Sequence, residues 1–308
     1  MNYLDLNEFC KRKRRIKIII IYLFVFVYIV YIKYFTIQKD LRVCLCSPTK
    51  KENRYLKEFV EHYKGYNLDK IYLYDNNDIE GEHLEDVIED YIKSGLVEIV
   101  NFRGKIRALY DMMNDCYKNH YFNYDWLIFY EIDEYIHLHN YKDIKKFLNK
   151  DIFNKCVTIQ LNWLFHTDND KIYYENKPLK IRFPNSNKKV KFPAVKSILK
   201  GKIPYIKINC VHRLNSNLKA CDGFGNRIHI KGIGTEIVDY KYNYIDHYFC
   251  KSTEEFIDKI NKGDVLYQKD NFKERIKVYF AINKATKEKL DFINQHLFTN
   301  ISFNDILF

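Results

Sequence analysis

The sequence has no Cys-x-x-Cys pair and no zinc-type spacing among its eight cysteines. This absence argues against a structural zinc module. Cys44 and Cys46 stand two residues apart and would face the same side of a strand, where small buried thiols are common. Cys210 and Cys221 are a candidate disulfide of a lumenal protein, although the sequence alone does not establish that pairing.

The sequence also lacks a concentrated basic block in its globular part. Its formal net charge is +11, of which about +4 belongs to residues 1–17, and the remainder is spread along the chain. Tyr and Phe are abundant, but Lys, Asn and Ile are frequent too, which indicates a general compositional bias rather than a base-stacking surface. A nucleic-acid-binding protein would show a basic stripe or a known motif, so we expect no nucleic-acid partner.

Long apolar runs are absent except for one near the start of the chain. Residues 16–35 are almost continuously apolar or Tyr and are long enough to span a bilayer. The basic segment Lys11–Arg15 precedes them, and no small-residue cleavage site follows. We therefore predict a cytosolic tail (1–15), a signal anchor (16–35), a short stem (36–41) and a globular domain (42–308) beyond the membrane.

The globular part alternates strand and helix patterns. The predicted strands are Leu41–Ser47, Lys70–Tyr74, Leu96–Phe102 and 126–132. The predicted helices are Thr49–Tyr63, His83–Lys93 and Arg107–His120, the first with a capping box of Thr49 and Glu52. This order predicts an α/β fold with a mostly parallel sheet and helices on both faces.

Polar clusters follow three of these strands, at Ser47–Lys51, Asp75–Asp78 and Glu131–Glu134. Ligands of such sheets collect at the carboxyl ends of the strands, so we expect the clusters to share one site. Three carboxylates within four residues repel one another unless a cation lies among them, and their oxygens suit Mg²⁺ or Mn²⁺. The alternative is a solvated acidic turn.

Four segments in this order resemble glycosyltransferase family 92 and closely related family 2-like proteins. They are Lys50–His62, Tyr74–Asn76, Asp125–Tyr135 and His247–Phe256, and the resemblance covers roughly residues 42–265. It implies the glycosyltransferase-A fold, a Rossmann-like α/β architecture, with a nucleotide-sugar half (42–136) and an acceptor half (137–308).

The resemblance also implies a function. A type II membrane protein of the Golgi or another secretory lumen would move a hexose from a nucleotide sugar to a glycan on a glycoprotein or glycolipid. The implied donor is UDP-galactose, the implied cofactor is Mn²⁺ or Mg²⁺, and the implied course is inversion. The cation would offset the charge that develops on the departing diphosphate.

The resemblance suggests roles for individual residues. The candidate metal ligands are Asp133, Glu131 and His247. The candidate nucleotide-sugar contacts are Glu52, Asp75, Arg107, Glu134 and Lys251. For several of these the alternative is structural or solvated, and Asp75 in particular could simply form an Asx turn.

On the acceptor side, Trp163 is a candidate sugar-stacking platform, with a core tryptophan as the alternative. The base that accepts the hydroxyl proton would be Asp168 or Asp222, and the sequence does not choose between them. Glu131 stands where the family usually has Asp. This departure motivates a second hypothesis, a catalytically weak membrane module that binds a sugar nucleotide or glycan.

Overall fold

The computed structural model describes residues 16–31, 41–189, 194–204, 206–210, 212, 219–235, 238–262, 272–299 and 301–306. The chain divides into two compact units, Met1–Asp40 and Leu41–Phe308. In the first unit, residues 16–31 form helix α1, whose side chains are exposed. Within the described ranges, no helix has the length and apolar character needed to cross a membrane. The predicted tail (1–15), the end of the predicted anchor (32–35) and most of the stem (36–40) lie outside those ranges.

The first half of the larger unit alternates strands and helices, as the sequence predicts. Its elements are β1 (Val43–Thr49), α2 (Asn53–Gly65), β2 (Lys70–Asp75), α3 (Glu85–Lys93), β3 (Val97–Asn101), α4 (Leu109–His120) and β4 (Trp126–Phe129). The strands are parallel in the order β3-β2-β1-β4. Their carboxyl ends therefore lie along one edge of the sheet, which brings the three polar clusters to the same side.

Strand β1 shows how the helices cover both faces. Val43 and Leu45 pack with helices α2 and α3 in one buried cluster. Cys44 and Cys46, on the opposite face, pack with helix α4 in another. Side chains alternate across a strand, so a strand buried on both faces reads as a continuous apolar run. The predicted α/β sheet with helices on both faces is confirmed.

The second half adds antiparallel strands. Its elements are β5 (Glu134–Leu138), α5 (Ile144–Leu148), a 3-10 turn (Asp151–Phe153), β6 (Thr158–Phe165), α6 (Leu179–Arg182), β7 (Val195–Lys200), β8 (Ala220–Cys221), β9 (Ile230–Lys231), β10 (Gly234–Thr235) and β11 (Asn243–His247). Strand β7 lies antiparallel between β4 and β6, and β11 lies between β6 and β5. The described residues form a nine-stranded sheet, and β9 pairs separately with β10.

Four helices complete the chain: α7 (Thr253–Asn261), α8 (Phe272–Ile282), α9 (Lys287–Leu297) and α10 (Phe303–Ile306). Helix α7 begins with a capping box in which Ser252 and Glu255 bond each other's backbone N–H groups. The capping box predicted for Thr49 and Glu52 does not form. Helix α2 begins at Asn53, and the Glu52 side chain makes no capping bond.

Two disulfides link distant parts of the larger unit, Cys46–Cys116 and Cys156–Cys221. The first joins β1 to α4, the helix that packs against this face of the sheet. The pairing of Cys221 with Cys210 was wrong, because Cys156 lies beside Cys221 with a Cα–Cα separation of 5.8 Å. Cys210 is a free, half-buried cysteine.

Replacing Cys156 with serine should lower the free energy of unfolding by about 2–4 kcal/mol, because the disulfide closes a long loop and restricts the unfolded chain. Urea denaturation under oxidising conditions measures the change. The matched control is Cys210→Ser, which should leave the free energy of unfolding within about 0.5 kcal/mol of the unmodified protein. Non-reducing peptide mapping that found Cys210 joined to Cys221 would contradict this assignment.

Candidate active site

The acidic turn lies between β4 and β5, at the carboxyl edge of the sheet. Glu131, Asp133 and Glu134 differ sharply in exposure, with side chains 38%, 6% and 0% exposed. Backbone bonds hold the turn: Glu134 N–H donates to the Glu131 carbonyl at 3.0 Å, and Tyr248 N–H donates to the Asp133 carbonyl at 2.9 Å. The three carboxylates therefore occupy distinct environments.

Two lysines from distant segments neutralise these carboxylates. Lys196 Nζ, on β7, lies 2.5 Å from Glu131 Oε1 and 3.2 Å from Glu134 Oε1. Lys259 Nζ, on α7, lies 2.5 Å from Asp133 Oδ2. Buried carboxylates this close together need such partners. The turn is therefore a charged network and not a solvated loop.

The environments shift the pKa values in different directions. Burial acts to raise the pKa of Asp133, but Lys259 and His247 outweigh it and hold that pKa well below its usual range. Burial also acts to raise the pKa of Glu131, and Lys196 reverses the effect, so the net shift is downward. For Glu134 burial prevails, with Glu131 and Asp133 adding to it against Lys196, and the pKa rises to about 8. Asp133 is thus the firmly ionised member of the turn.

His247 reaches the turn from the end of β11, where it pairs with Glu134 across the strands. Its Nε2 lies 3.6 Å from Asp133 Oδ2, and its ring contacts those of Trp163 and Phe165. Burial lowers the pKa of His247 despite the neighbouring Asp133, which favours the neutral imidazole. Its other ring nitrogen, Nδ1, has no hydrogen-bond partner in the described part of the chain.

The three predicted metal ligands do not converge. Among the described residues, no three His, Cys, Asp or Glu side chains are grouped to hold a metal. Asp133 and His247 do fit one ion as a pair, since two ligands each about 2.1 Å from a shared cation lie roughly 3–4 Å apart. Glu131 points to Lys196 instead, so its assignment as a ligand has no geometric support here.

A cleft of about 290 Å³ adjoins the turn, between the start of α2 and the end of α7. Glu52 and Lys251, both predicted nucleotide-sugar contacts, line this cleft together with Lys259 and Lys262. Glu52 forms an ion pair with Lys262, and its Oε2 lies 4.0 Å from Lys251 Nζ. Burial lowers the pKa of Lys251, against the opposing effects of Glu52 and Asp133.

Asp75, at the end of β2, organises the adjacent loop. Its carboxylate accepts hydrogen bonds from Arg103 at 2.7 Å and from the Asn77 N–H at 3.0 Å. Arg103 also donates to backbone carbonyls within residues 78–82. The bond to Asn77 is the Asx turn that the sequence left as the alternative. Arg107 is exposed in the loop before α4, not in the helix as predicted.

Comparison with known families decides the identity of the chain. The sequence model for glycosyltransferase family 92 matches residues 39–289. The chain belongs to glycosyltransferase family 92. It is therefore a glycosyltransferase, as the resemblance implied. No curated protein sequence matches the chain significantly.

Several solved structures are similar to this family 92 chain. One is S. aureus TarS, with a TM-score of 0.39, 12% identity, and coverage of 83% of this chain but 49% of TarS. Others are a shorter TarS with UDP (TM-score 0.39, 12% identity, coverage 83% and 71%) and with UDP-GlcNAc (TM-score 0.39, 10% identity, coverage 83% and 80%). The chain thus spans about half the length of full TarS, and these similarities carry no conclusion about its donor.

In this family 92 enzyme, Trp163, the predicted acceptor contact, lies next to the turn. It is half-buried, and its ring centroid is 4.3 Å from that of His247 and 5.1 Å from that of His212. Lys196 Nζ lies 5.7 Å from the ring centroid. Trp163 therefore lies at the edge of the charged network. Its contacts are compatible both with a sugar-stacking platform and with a core tryptophan.

Neither predicted base lies in the charged network. Asp168 is 2% exposed, pairs with Lys289 at 2.8 Å and accepts a hydrogen bond from Tyr279 at 2.6 Å, which fastens α8 and α9 to the sheet. Asp222 accepts bonds from two backbone N–H groups of its own turn. That turn follows β8, which pairs with the start of β6, whereas His247 pairs with its end, roughly 20 Å away at 3.3 Å per residue.

Replacing Asp168 with asparagine should lower the free energy of unfolding by about 3 kcal/mol, because Lys289 loses the charge of its buried partner. The transfer rate per folded molecule should change by less than about threefold. Urea denaturation and initial rates on the same preparation check both. The control is Asp170→Asn, which also removes a bond to Lys289 but from an exposed carboxylate. A hundredfold slower rate with unchanged stability would restore Asp168 as the base.

Proposed function

We propose that this family 92 enzyme transfers a hexose from a UDP-sugar to a glycan acceptor. The observation that carries the proposal is Asp133, a buried and ionised carboxylate just beyond the carboxyl end of β4, whose partner Lys259 lines the adjoining cleft together with Lys251 and Lys262. Ligands of α/β sheets bind at this edge. A diphosphate carries the negative charge that such a cleft attracts.

The sugar specificity follows the family resemblance, which points to galactose from UDP-galactose and to inversion. We place the nucleoside beside the loop 75–82, whose shape Arg103 fixes through Asp75. The acceptor would approach over Trp163, because apolar sugar faces pack on aromatic rings. Asp168 is held by Lys289 and Tyr279, and Asp222 lies at the far end of β6, so we assign the expected carboxylate base to neither of them.

A divalent cation, Mn²⁺ or Mg²⁺, is part of the proposal. Asp133 and His247 would hold it, and when bound it would offset the charge that develops on the departing diphosphate. The chain itself contributes the fixed charges of Lys196 and Lys259, which set the ionisation of the turn. Glu134, fully buried against Lys196, orients the backbone of the turn by accepting from Glu131 N–H at 3.0 Å.

We also propose that the enzyme is a type II membrane protein of the Golgi or another secretory lumen. The apolar run at 16–35 and the basic segment before it support an anchor with a cytosolic N-terminus. Two disulfides in the larger unit support an oxidising compartment.

The second candidate function is a sugar-nucleotide-binding module with weak or no turnover. The observation that favours it is Glu131, which replaces the usual Asp and points to Lys196 and not towards His247. Both candidates predict UDP binding, so only turnover separates them.

The test uses the full-length chain in detergent with a panel of UDP-sugars and glycan acceptors. We expect UDP release that depends on the acceptor and is fastest with UDP-galactose. If UDP release were fastest with another UDP-sugar, the proposed donor would be wrong but the proposed reaction, hexose transfer to a glycan, would stand. UDP binding by calorimetry without release on any acceptor would favour the binding module. Absence of UDP binding would overturn both candidates.

A further inference from the structure

Three lysines within and beside α7 line the cleft: Lys251 precedes the helix, Lys259 lies in it and Lys262 follows it. Lys251, Lys259 and Lys262 have side chains that are 6%, 20% and 16% exposed. They meet two carboxylates, Glu52 and Asp133. Three largely buried cations against two anions leave a positive charge for which a further anion would compensate.

The backbone is bent to bring the first of these lysines inward. Lys251 has a φ of 53°, in the left-handed region that non-glycine residues rarely adopt because it strains the backbone. Its ammonium lies 3.9 Å from the centroid of the Tyr55 ring and 4.0 Å from Glu52. A strained residue held in a cleft, with its charge poorly matched, is an arrangement typical of a ligand site.

Lys259 stands at a different place from the other two. Its Nζ lies on Asp133 Oδ2, the same oxygen that faces His247 Nε2 at 3.6 Å. An ammonium ion and a divalent cation repel each other, so the two compete for one carboxylate oxygen at contact distance. While this ion pair lasts, Lys259 weakens Asp133 Oδ2, the oxygen nearest His247, as a ligand for a cation.

We propose that Lys259 is an exchangeable counterion, which pairs with Asp133 in the free enzyme and moves to the donor diphosphate when the donor binds. Lys251 and Lys262 complete the diphosphate subsite. The move releases Asp133 and lets it join His247 on a divalent cation. This inference rests on the proposed function of the site, and it makes the binding of cation and nucleotide mutually favourable.

The test measures Mn²⁺ binding to the full-length enzyme by electron paramagnetic resonance and UDP binding by calorimetry. For the unmodified enzyme we expect weak Mn²⁺ binding that tightens about tenfold or more with UDP. Lys259→Met should bind Mn²⁺ alone about tenfold more tightly than the unmodified enzyme, and should bind UDP in EDTA about tenfold more weakly.

The matched control is Lys262→Met, which lines the same cleft but pairs with Glu52. It should weaken UDP binding and leave the affinity for Mn²⁺ alone unchanged. Lys259→Arg keeps the charge on Asp133 and should keep Mn²⁺ binding weak, which guards against a poorly folded methionine variant. Unchanged Mn²⁺ affinity in Lys259→Met would overturn the exchange. If the unmodified enzyme did not bind UDP, the proposed function would be overturned instead. The two failures can be told apart because the Mn²⁺ affinities of Lys259→Met and the unmodified enzyme are compared without UDP.

Discussion

Replacing Lys196 with methionine is expected to lower the free energy of unfolding by about 3–5 kcal/mol, the largest stability effect in this protein that we predict. Methionine keeps much of the length of lysine but removes the ammonium between Glu131 and Glu134. Lys196 is 1% exposed and Glu134 is fully buried, so water cannot replace that charge beside Glu134, although it reaches Glu131. Urea denaturation at neutral pH measures the loss.

The same variant should show an altered pH dependence. Without Lys196, the folded state retains protons on Glu131 and Glu134 that the unfolded state has released. Stability then falls as pH rises from about 5 to about 8, more steeply than in the unmodified protein, because the folded state binds more protons. Adding Glu134→Gln to the variant removes one of the two groups that retain a proton on folding, so the fall in stability with rising pH should become shallower.

The control for this prediction is Lys200→Met, on the same strand as Lys196. Lys200 Nζ donates to the Asn154 carbonyl in an exposed bond, so its loss should cost less than about 1 kcal/mol. If Lys196→Met and Lys200→Met proved equally mild, the charged network would not be the support of the turn that the contacts indicate.

Replacing Asp133 with asparagine is expected to slow sugar transfer by about 10²–10³-fold, because the site loses the ionised carboxylate that Lys259 and His247 hold in place. The side chain keeps its size, so the fold should persist and the loss should appear in the initial rate. Thermal unfolding of the same preparation separates lost activity from lost structure.

The matched control is Asp258→Asn on the rim of the same cleft. Asp258 is 60% exposed and pairs with Arg54, so its replacement should change the rate by less than about threefold. If Asp133→Asn kept more than a third of the activity of the unmodified enzyme, Asp133 would not be the centre of the site.

The first half of the fold was predictable because its signals are local. Alternation of apolar strands with amphipathic helices predicted a mostly parallel sheet, though not its strand order, and the polar ends of β1, β2 and β4 meet at one edge as expected. Strand β5 was missed. Its residues, Glu134–Leu138, pair with β11 more than 100 positions along the chain, and no local periodicity reports such a partner.

The charged network was only partly predictable for the same reason. The turn signalled three carboxylates, but their partners Lys196 and Lys259 come from β7 and α7. Lysine side chains are usually solvated, so the sequence favoured surface positions for Lys196 and Lys259. The available signal was the position of Lys196 within the apolar stretch Ala194–Ile198, where a buried lysine needs a carboxylate. Nor could the sequence show that Lys289 and Tyr279 enclose Asp168, one of the two candidate bases.

A crystal structure of the full-length enzyme with UDP and Mn²⁺ would show the donor site and the position of Lys259 together. We expect the diphosphate in the cleft within hydrogen-bond distance of Lys251 and Lys259, with Mn²⁺ on Asp133 and His247. Lys259 Nζ should have left Asp133. UDP bound elsewhere on the protein, or in the cleft with Lys259 still paired to Asp133, would contradict this expectation.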